Sequence, residues 1–221
     1  MSTSVAPADT RMMAVVHRAL TRDLQRVGDA VTAKPYPQGR RRQALGEHVA
    51  WLMRFLHEHH TGEDEGLWPM VRDRNPDAGP LLESLEADHR AIAPAAERLA
   101  AAGQAYSGST GDVERVEVHD ALQALTSVLV PHLEREVAEA MPVVSASITH
   151  ADWHAWDQER NVKGKPLSEL GFVGHWLLDG IDPEGYQLVV GEVPAVPRFI
   201  LLRFFAGPYR RRADLLWRAG E

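Results

Sequence analysis

Four histidines that interrupt the apolar stripes of helices restrict the fold of this chain more than any other feature. The first two lie 42 residues apart and the last two 43, and a glutamate follows the second and the fourth by four residues. Residues four apart lie on the same face of a helix. The sequence thus predicts a core that receives six polar side chains: His17, His59, Glu63, His89, His132 and Glu136.

Each histidine takes the place of an apolar residue in the three-and-four spacing of an amphipathic helix. His17, for example, continues the row that contains Met13, Leu20 and Leu24. A buried carboxylate without a partner is very costly, and these rows contain no lysine or arginine to pair with it. One such histidine is more often a hydrogen-bonded core residue, but six donors in phase favour a metal site of two ions inside a helical bundle.

Composition excludes several classes of function. The chain has 221 residues, a formal charge of −7 and no cysteine. The acidic balance gives no basic surface for nucleic acid, so we expect small-molecule partners and identify no protein partner. Without cysteine there are no disulfides or thiolate ligands, and His and carboxylate remain as the strong metal donors.

The sequence also indicates a location. The N-terminal residues lack the charged and apolar regions of a signal peptide, so we expect a cytoplasmic protein. The most apolar segment, residues 199–205, is too short to span a bilayer and contains Arg203. We therefore expect no membrane association.

The predicted fold class is all-α, an antiparallel up-down-up-down four-helix bundle with a mostly helical C-terminal extension. Short connections make neighbouring helices antiparallel, and this order brings the six donors to one level. We divide the chain into a disordered N-terminus (1–9), the bundle (10–142) and a Trp-rich extension packed on it (143–221). The four bundle helices are predicted over residues 10–33, 38–63, 77–103 and 112–141.

Two prolines lie inside the predicted bundle helices, close to donors. Pro94 follows His89 by five residues, and Pro131 directly precedes His132. Each removes a backbone hydrogen bond and bends its helix. The bends either orient the donors or are ordinary curvature, and the sequence does not choose between these interpretations.

The extension contains shorter elements rich in Trp, Gly and Pro. We predict helices over 149–159, 166–178 and 208–219, and an apolar segment over 189–205. Within it, residues 199–205 are interpreted as a buried helix or strand, or as a docking face for another chain. Its tryptophans are predicted to pack on the bundle: Trp153, Trp156, Trp176 and Trp217. Its histidines lie outside the repeat and are predicted to be structural or exposed: His150, His154 and His175.

The donors and their neighbours resemble a known family. The run HHTGEDEGLWP (59–69), together with His17, Asp88-His89 and HLERE (132–136), is similar to the hemerythrin-like HHE cation-binding domain over residues 10–142. The resemblance implies a four-helix bundle with two iron ions, oxo- or hydroxo-bridged, which manganese or zinc can replace. The four histidines of the repeat would be terminal ligands, and Glu63 and Glu136 would bridge the ions.

One departure from the family pattern concerns a fifth histidine. Oxygen-carrying hemerythrins have it one turn after the ligand of the third helix, and here that place is Ala93. His60 either substitutes for it or faces solvent beside Asp64, because it is rotated about 100° from His59. We predict His57 at the surface. Three carboxylates are predicted to support the ligands or to be solvated: Asp64, Glu65 and Asp88.

The resemblance implies a reaction with small oxidants. With few protein donors, positions remain for O2, hydrogen peroxide or nitric oxide, and the leading hypothesis is peroxide breakdown or peroxide-dependent consumption of nitric oxide. The alternatives are an oxygen, iron or redox sensor and a reversible O2 carrier without turnover. No side chain stands out as a catalytic acid or base.

Overall fold

Helices form almost all of the part of the chain that the computed structural model describes, residues 6–218. The β-pairing among these residues is one isolated bridge between Pro7 and Thr149. The prediction of an all-α protein is confirmed. The α-helices are α1 (Arg11–Thr32), α2 (Gly39–Gly62), α3 (Trp68–Arg74), α4 (Gly79–Ser107), α5 (Asp112–Arg135), α6 (Met141–Ser147), α7 (His150–Asp157), α8 (Leu167–Leu178), α9 (Pro183–Gly191), α10 (Ala195–Phe204) and α11 (Ala206–Trp217).

The long helices form a bundle because each buries one apolar face. In α1 the buried face includes Leu20, Leu24, Val27 and Val31, which are at most 2% exposed. Helix α1 contacts α2 and α5, α2 contacts α4, and α4 contacts α5. One apolar core therefore lies among the four helices.

Helices α2 and α5 each widen into a π-helical turn at their ends. Glu63–Leu67 joins α2 to α3, and Glu136–Ala140 joins α5 to α6. In both turns the closing N–H, that of Trp68 or Met141, donates to the carbonyl of the glutamate five residues earlier. Proline comes next, at Pro69 and at Pro142, and has no N–H to continue the α-helical ladder. Such turns are frequent at functional sites.

Two glycines set the distance between α2 and α4. A Cβ on Gly46 would lie 2.3 Å from the carbonyl oxygen of Gly103, and a Cβ on Gly103 would lie 2.7 Å from Val49 Cγ1. Neither position tolerates a side chain without a backbone shift. The two helices therefore approach more closely here than larger residues permit.

Some element boundaries differ from the sequence prediction. The fourth predicted helix does not stop near Pro142, because the chain passes through the π turn and remains helical to Ser147. Proline is tolerated there, since it stands in the first turn of α6. Of the apolar segment 189–205, residues 189–191 lie in α9 and residues 195–204 form α10. The prediction that residues 199–205 are buried is wrong, because Phe199 is 65% and Phe204 61% exposed.

The extension contributes side chains to two apolar cores. Trp176 and Leu216 belong to the main core of the bundle. Trp153 and Trp156 belong to a second core, which contains Trp68 of α3. The Trp156 Nε1–H donates to the carbonyl of Gly62 at 3.0 Å, beside the first π turn. The extension thus contacts the bundle at both cores.

The N-terminal segment predicted to be disordered falls partly outside the described residues, which begin at Ala6. Within the described part, Ala8 is 3% exposed and its N–H donates to the carbonyl of Ile148. Residues 6–9 therefore run beside the start of α7. Among residues 6–218 we find no helix with both the length and the apolar character needed to cross a bilayer.

Candidate metal centre

The structure brings all six donors of the sequence repeat together, and adds His60. They form two groups, and within each group one ligand atom per residue lies within 4.8 Å of the others. The first group contains three histidines: His60, His89 and His132. The second contains two histidines and both glutamates: His17, His59, Glu63 and Glu136.

The two glutamates lie between the groups. Glu63 Oε1 is 3.2 Å from His59 Nε2, and Glu63 Oε2 is 3.6 Å from His89 Nε2. Glu136 Oε2 is 3.6 Å from His17 Nε2 and 3.7 Å from His132 Nε2. Each carboxylate therefore faces one histidine of either group. Both glutamates begin a π turn, so the two halves of the sequence repeat are also alike in local backbone.

The histidine nitrogens converge in pairs. Nε2 of His17 lies 3.1 Å from Nε2 of His59, and Nε2 of His89 lies 3.1 Å from Nε2 of His132. The Nδ1–H of His17 donates to the carbonyl of Leu133 at 3.2 Å, and that of His89 to Asp64 at 2.7 Å. In these tautomers Nε2 carries a lone pair, which points into the centre. Converging lone pairs require a proton or a cation between them.

Six buried polar atoms of the centre have no hydrogen-bond partner. They are both carboxylate oxygens of Glu63, both of Glu136, Nε2 of His60 and Nδ1 of His132. The two glutamates are 0% exposed. Leaving such groups unpaired costs several times more than a typical hydrogen bond contributes. Since the four unpaired carboxylate oxygens lie among the histidine nitrogens of the two groups, the residues fit a metal ion.

Burial shifts the protonation of the centre towards neutral groups. It raises the pKa of Glu136 to about 8 and that of Glu63 well above its usual value, with Glu136 nearby as a second cause for Glu63. It lowers the pKa of His17 to about 3 and that of His132 to about 4. Without a cation the carboxyls hold their protons at neutral pH, and a bound cation favours their release.

His60 lies inside the centre, so the interpretation that it faces solvent is wrong. Its side chain is 8% exposed, and its ring stacks on His89 with 4.0 Å between centroids and 9° between planes. Ala93 of α4 is exposed and offers no ligand. The third histidine of the first group thus comes from α2. His57, as predicted, is at the surface.

The neighbouring carboxylates differ in what they contact. Asp64 accepts the hydrogen bond from His89, as described above. Asp88 Oδ2 lies 3.6 Å from His132 Nδ1 and 2.9 Å from the Arg135 guanidinium, which holds it in place. Glu65 instead pairs with Arg160 at the surface. Of the remaining histidines, His150 and His154 are exposed, and His175 Nε2 lies 3.2 Å from the Leu201 carbonyl oxygen.

A second buried polar group escaped the sequence analysis. Asp23 of α1 accepts hydrogen bonds from His48 Nε2 at 2.9 Å, from Trp176 Nε1 at 3.0 Å and from Arg22 Nε at 2.8 Å. Asp23 is 1% and His48 2% exposed. Asp23 follows the core residue Leu20 by three positions, and His48 follows Leu45 by three. This spacing places both on the buried face of their helices and is the signal that the sequence contains. This cluster joins the bundle to α8.

A helical bundle that encloses histidine and carboxylate donors around unpaired oxygens defines a class of metal-binding helical proteins. The model of the hemerythrin HHE cation binding domain matches residues 8–144. The chain belongs to this family. Comparison with curated proteins and with solved structures found no match.

Proposed function

We propose that this protein is a di-iron protein of the cytoplasm that reacts with small oxidants, either by breaking down hydrogen peroxide or by consuming nitric oxide with peroxide. The observation that carries the proposal is the pair of unpaired, fully buried carboxylates between two groups of histidines. The bundle, over residues 10–142 and in up-down-up-down antiparallel order, would hold the ions. The extension from residue 143 would cover it.

The division of donors supports two ions that share the glutamates. His60, His89 and His132 would hold one ion, and His17 and His59 the other. Glu63 and Glu136 would bridge them, because their oxygens face both groups. The second ion has one histidine fewer, which leaves a position for a small ligand on the side of His17 and His59. Iron fits this nitrogen- and oxygen-rich set, and manganese or zinc can replace it.

A pair of irons supplies the exchange of two electrons that peroxide reduction requires. The protein's own groups orient the donors. The carbonyl of Leu133 and the carboxylates of Asp64 and Asp88 lie at Nδ1 of the histidines, which directs Nε2 inwards. The burial of the donors strengthens each charge interaction in the centre.

The test is to load the full chain with ferrous iron and measure metal content, peroxide loss and nitric oxide consumption with and without peroxide. We expect two irons per chain, an absorption band of an oxo-bridged diferric centre, and one of the two activities. Bound iron with neither activity would reject the oxidant reaction. An absorption band that appears with O2 and disappears under vacuum would show a reversible carrier instead.

A second candidate function is a sensor of oxygen, iron or redox state. It is favoured by the contact of the ligand His59 with Phe55, whose ring in turn contacts Trp176 of the extension. A change at the centre thus has a short packed route to α8. Hydrogen exchange of residues 167–217 that changes between ferrous and ferric protein, in the absence of turnover, would favour the sensor.

A further inference from the structure

A continuous row of aromatic rings connects the candidate metal centre to the surface. The ring of Phe55 lies parallel to His59, with 6.3 Å between centroids and 15° between planes. Trp176 follows at 4.8 Å from Phe55, and Trp51 at 5.2 Å from Trp176. Trp51 also contacts Phe172 of α8 at 4.8 Å. No gap wider than one ring separates the metal-ligand candidate from Trp51.

The outer end of this row opens into a cavity of about 500 Å³. Trp51 and Phe172 line it together with charged residues of both signs, Glu47, Glu169, Arg54 and Arg212. The Nε–H of Arg212 is buried and has no hydrogen-bond partner. A cavity of this volume can hold a small molecule, which would contact the indole of Trp51 directly.

The chemistry of these side chains suits the movement of single electrons. Tryptophan is among the most easily oxidised side chains, and electron tunnelling weakens steeply with distance, so two indoles in contact pass an electron readily. Trp176 is fully buried and its Nε1–H donates to the Asp23 carboxylate at 3.0 Å. That negative charge stabilises a positive charge on the oxidised indole, although Arg22, 5.9 Å from the ring, opposes it.

We propose that Trp51 and Trp176 form an electron relay between the dimetal site and the surface cavity. A small aromatic reductant bound against Trp51 and Phe172 would lose one electron to Trp51, and the centre would gain one through Trp176. Two such transfers would restore a centre that peroxide has oxidised by two electrons. Both indoles return to their starting state, and no proton moves because Trp176 keeps its hydrogen bond to Asp23. The delivery of electrons to a peroxide-oxidised centre rests on the proposed function. The electron path through Trp51 and Trp176 does not.

The chain offers a direct test because it contains no cysteine. The exposed Ser168 lines the cavity, so a photosensitiser attached through Ser168→Cys on the full chain would lie beside Trp51. Flash oxidation of this label in metal-free protein should produce a transient tryptophanyl absorption. Trp51→Phe should abolish the signal. Trp153→Phe, in the second core, should preserve it, because Trp153 is not part of the row.

Ferrous loading tests the inner end of the relay. With iron bound, the tryptophanyl signal should decay faster while ferric absorption appears. A signal that persists in Trp51→Phe, or one that decays at the same rate with and without iron, would overturn the relay. Failure of the peroxide and nitric oxide assays would leave both measurements unaffected, so the two proposals can fail separately.

Discussion

Glu136 shows at the scale of one residue how strongly this fold depends on a ligand. Its carboxyl is fully buried, its oxygens have no hydrogen-bond partner, and burial raises its pKa to about 8. A metal-free core would be better served by an apolar residue of similar size. The glutamate therefore lowers the stability of the metal-free fold and, under the proposed assignment, would raise the affinity for a cation.

The stability of the metal-free protein should fall as pH rises from 6.5 to 8. In the unfolded chain Glu136 loses its proton near pH 4.5, whereas in the fold it keeps the proton up to about pH 8. The folded protein therefore binds more protons than the unfolded chain. Between pH 6.5 and 8 this carboxyl lowers the free energy of unfolding by up to about 1.4 kcal/mol per pH unit. His17 and His132 do not oppose the trend, because their lowered pKa values affect stability below pH 6.5.

Thermal unfolding of metal-free protein across this range measures the effect. Glu136→Gln, which removes this ionisable group, should reduce the slope to the part that the raised pKa of Glu63 contributes, and should raise the melting temperature at pH 8. The exposed Glu134 provides the matched control Glu134→Gln, which should leave the slope unchanged. A Glu136 variant with the same pH dependence as the wild type would show that the raised pKa of Glu136 does not cause this loss of stability.

His60→Gln should weaken metal binding, whereas His57→Gln should not. His60 supplies a third nitrogen to the first group, and its Nε2 has no other partner. His57 stands on the same helix but is exposed. Metal content after dialysis against a weak chelator should therefore drop in the first variant and remain at the wild-type value in the second. Equal retention in both would show that His60 is not a ligand.

The sequence singles out the six residues that the structure brings together, but it does not reveal which residues surround them. The spacing of His17 and its counterparts is a property of single helices, so it can be read without knowledge of the packing. The position of His60 depends on how closely α2 lies against α4, which no local pattern reveals. Asp23 escaped for the same reason, since its donor Trp176 lies 153 residues away along the chain.

At the scale of elements, the two π turns are the main feature that helical periodicity does not predict. The three-and-four spacing of apolar residues assumes one regular α-helix. A π turn inserts extra backbone between two stretches that each follow this spacing, so the spacing does not reveal the turn. The turns start at Glu63 and Glu136, and a proline follows each glutamate by six residues. The π turn accommodates Pro142 without ending the helix. The chain therefore stays helical past Pro142, where the sequence predicts the end of the fourth bundle helix.

The contact of α2 with α4 should fail when a side chain is added at Gly103. A Cβ there would lie 2.7 Å from Val49 Cγ1 and 3.1 Å from the carbonyl oxygen of Gly46, and the backbone oxygen cannot move away easily. We expect Gly103→Ala to lower the free energy of unfolding by about 1–3 kcal/mol, the usual cost of overpacking.

Urea unfolding of both forms measures this loss. Gly174→Ala is the control, because an added Cβ at this position inside α8 meets open space. It should be neutral or slightly stabilising, since alanine has the higher helix propensity. A Gly103 variant as stable as the control would show that the helices adjust their separation freely.

At the scale of the whole molecule, the extension is joined to the bundle by a buried charge as well as by apolar packing. Asp23 accepts hydrogen bonds from His48 within the bundle and from Trp176 of α8, and Arg26 bridges to Asp179 at the end of α8. Burial alone would raise the pKa of Asp23, but the hydrogen bonds and charges of His48 and Arg22 outweigh it and hold the pKa below its usual value. The sequence predicts that tryptophans cover the bundle, but not that a carboxylate fixes one of them.

Loss of the Asp23 charge should therefore release the extension while the metal centre remains intact. Asp23→Asn leaves Arg22 without its buried counterion and turns an amide N–H towards donors, at a cost of about 1–3 kcal/mol. Limited proteolysis should then cut sooner within residues 163–182, where α8 begins and ends, and iron content should be unchanged because the donors lie elsewhere.

Asp120→Asn, at an exposed position of α5, is the matched control and should be cut at the wild-type rate. Equal cleavage rates in the two variants would show that apolar contacts alone hold the extension, and a loss of iron from the Asp23 variant would show instead that the cluster supports the centre itself.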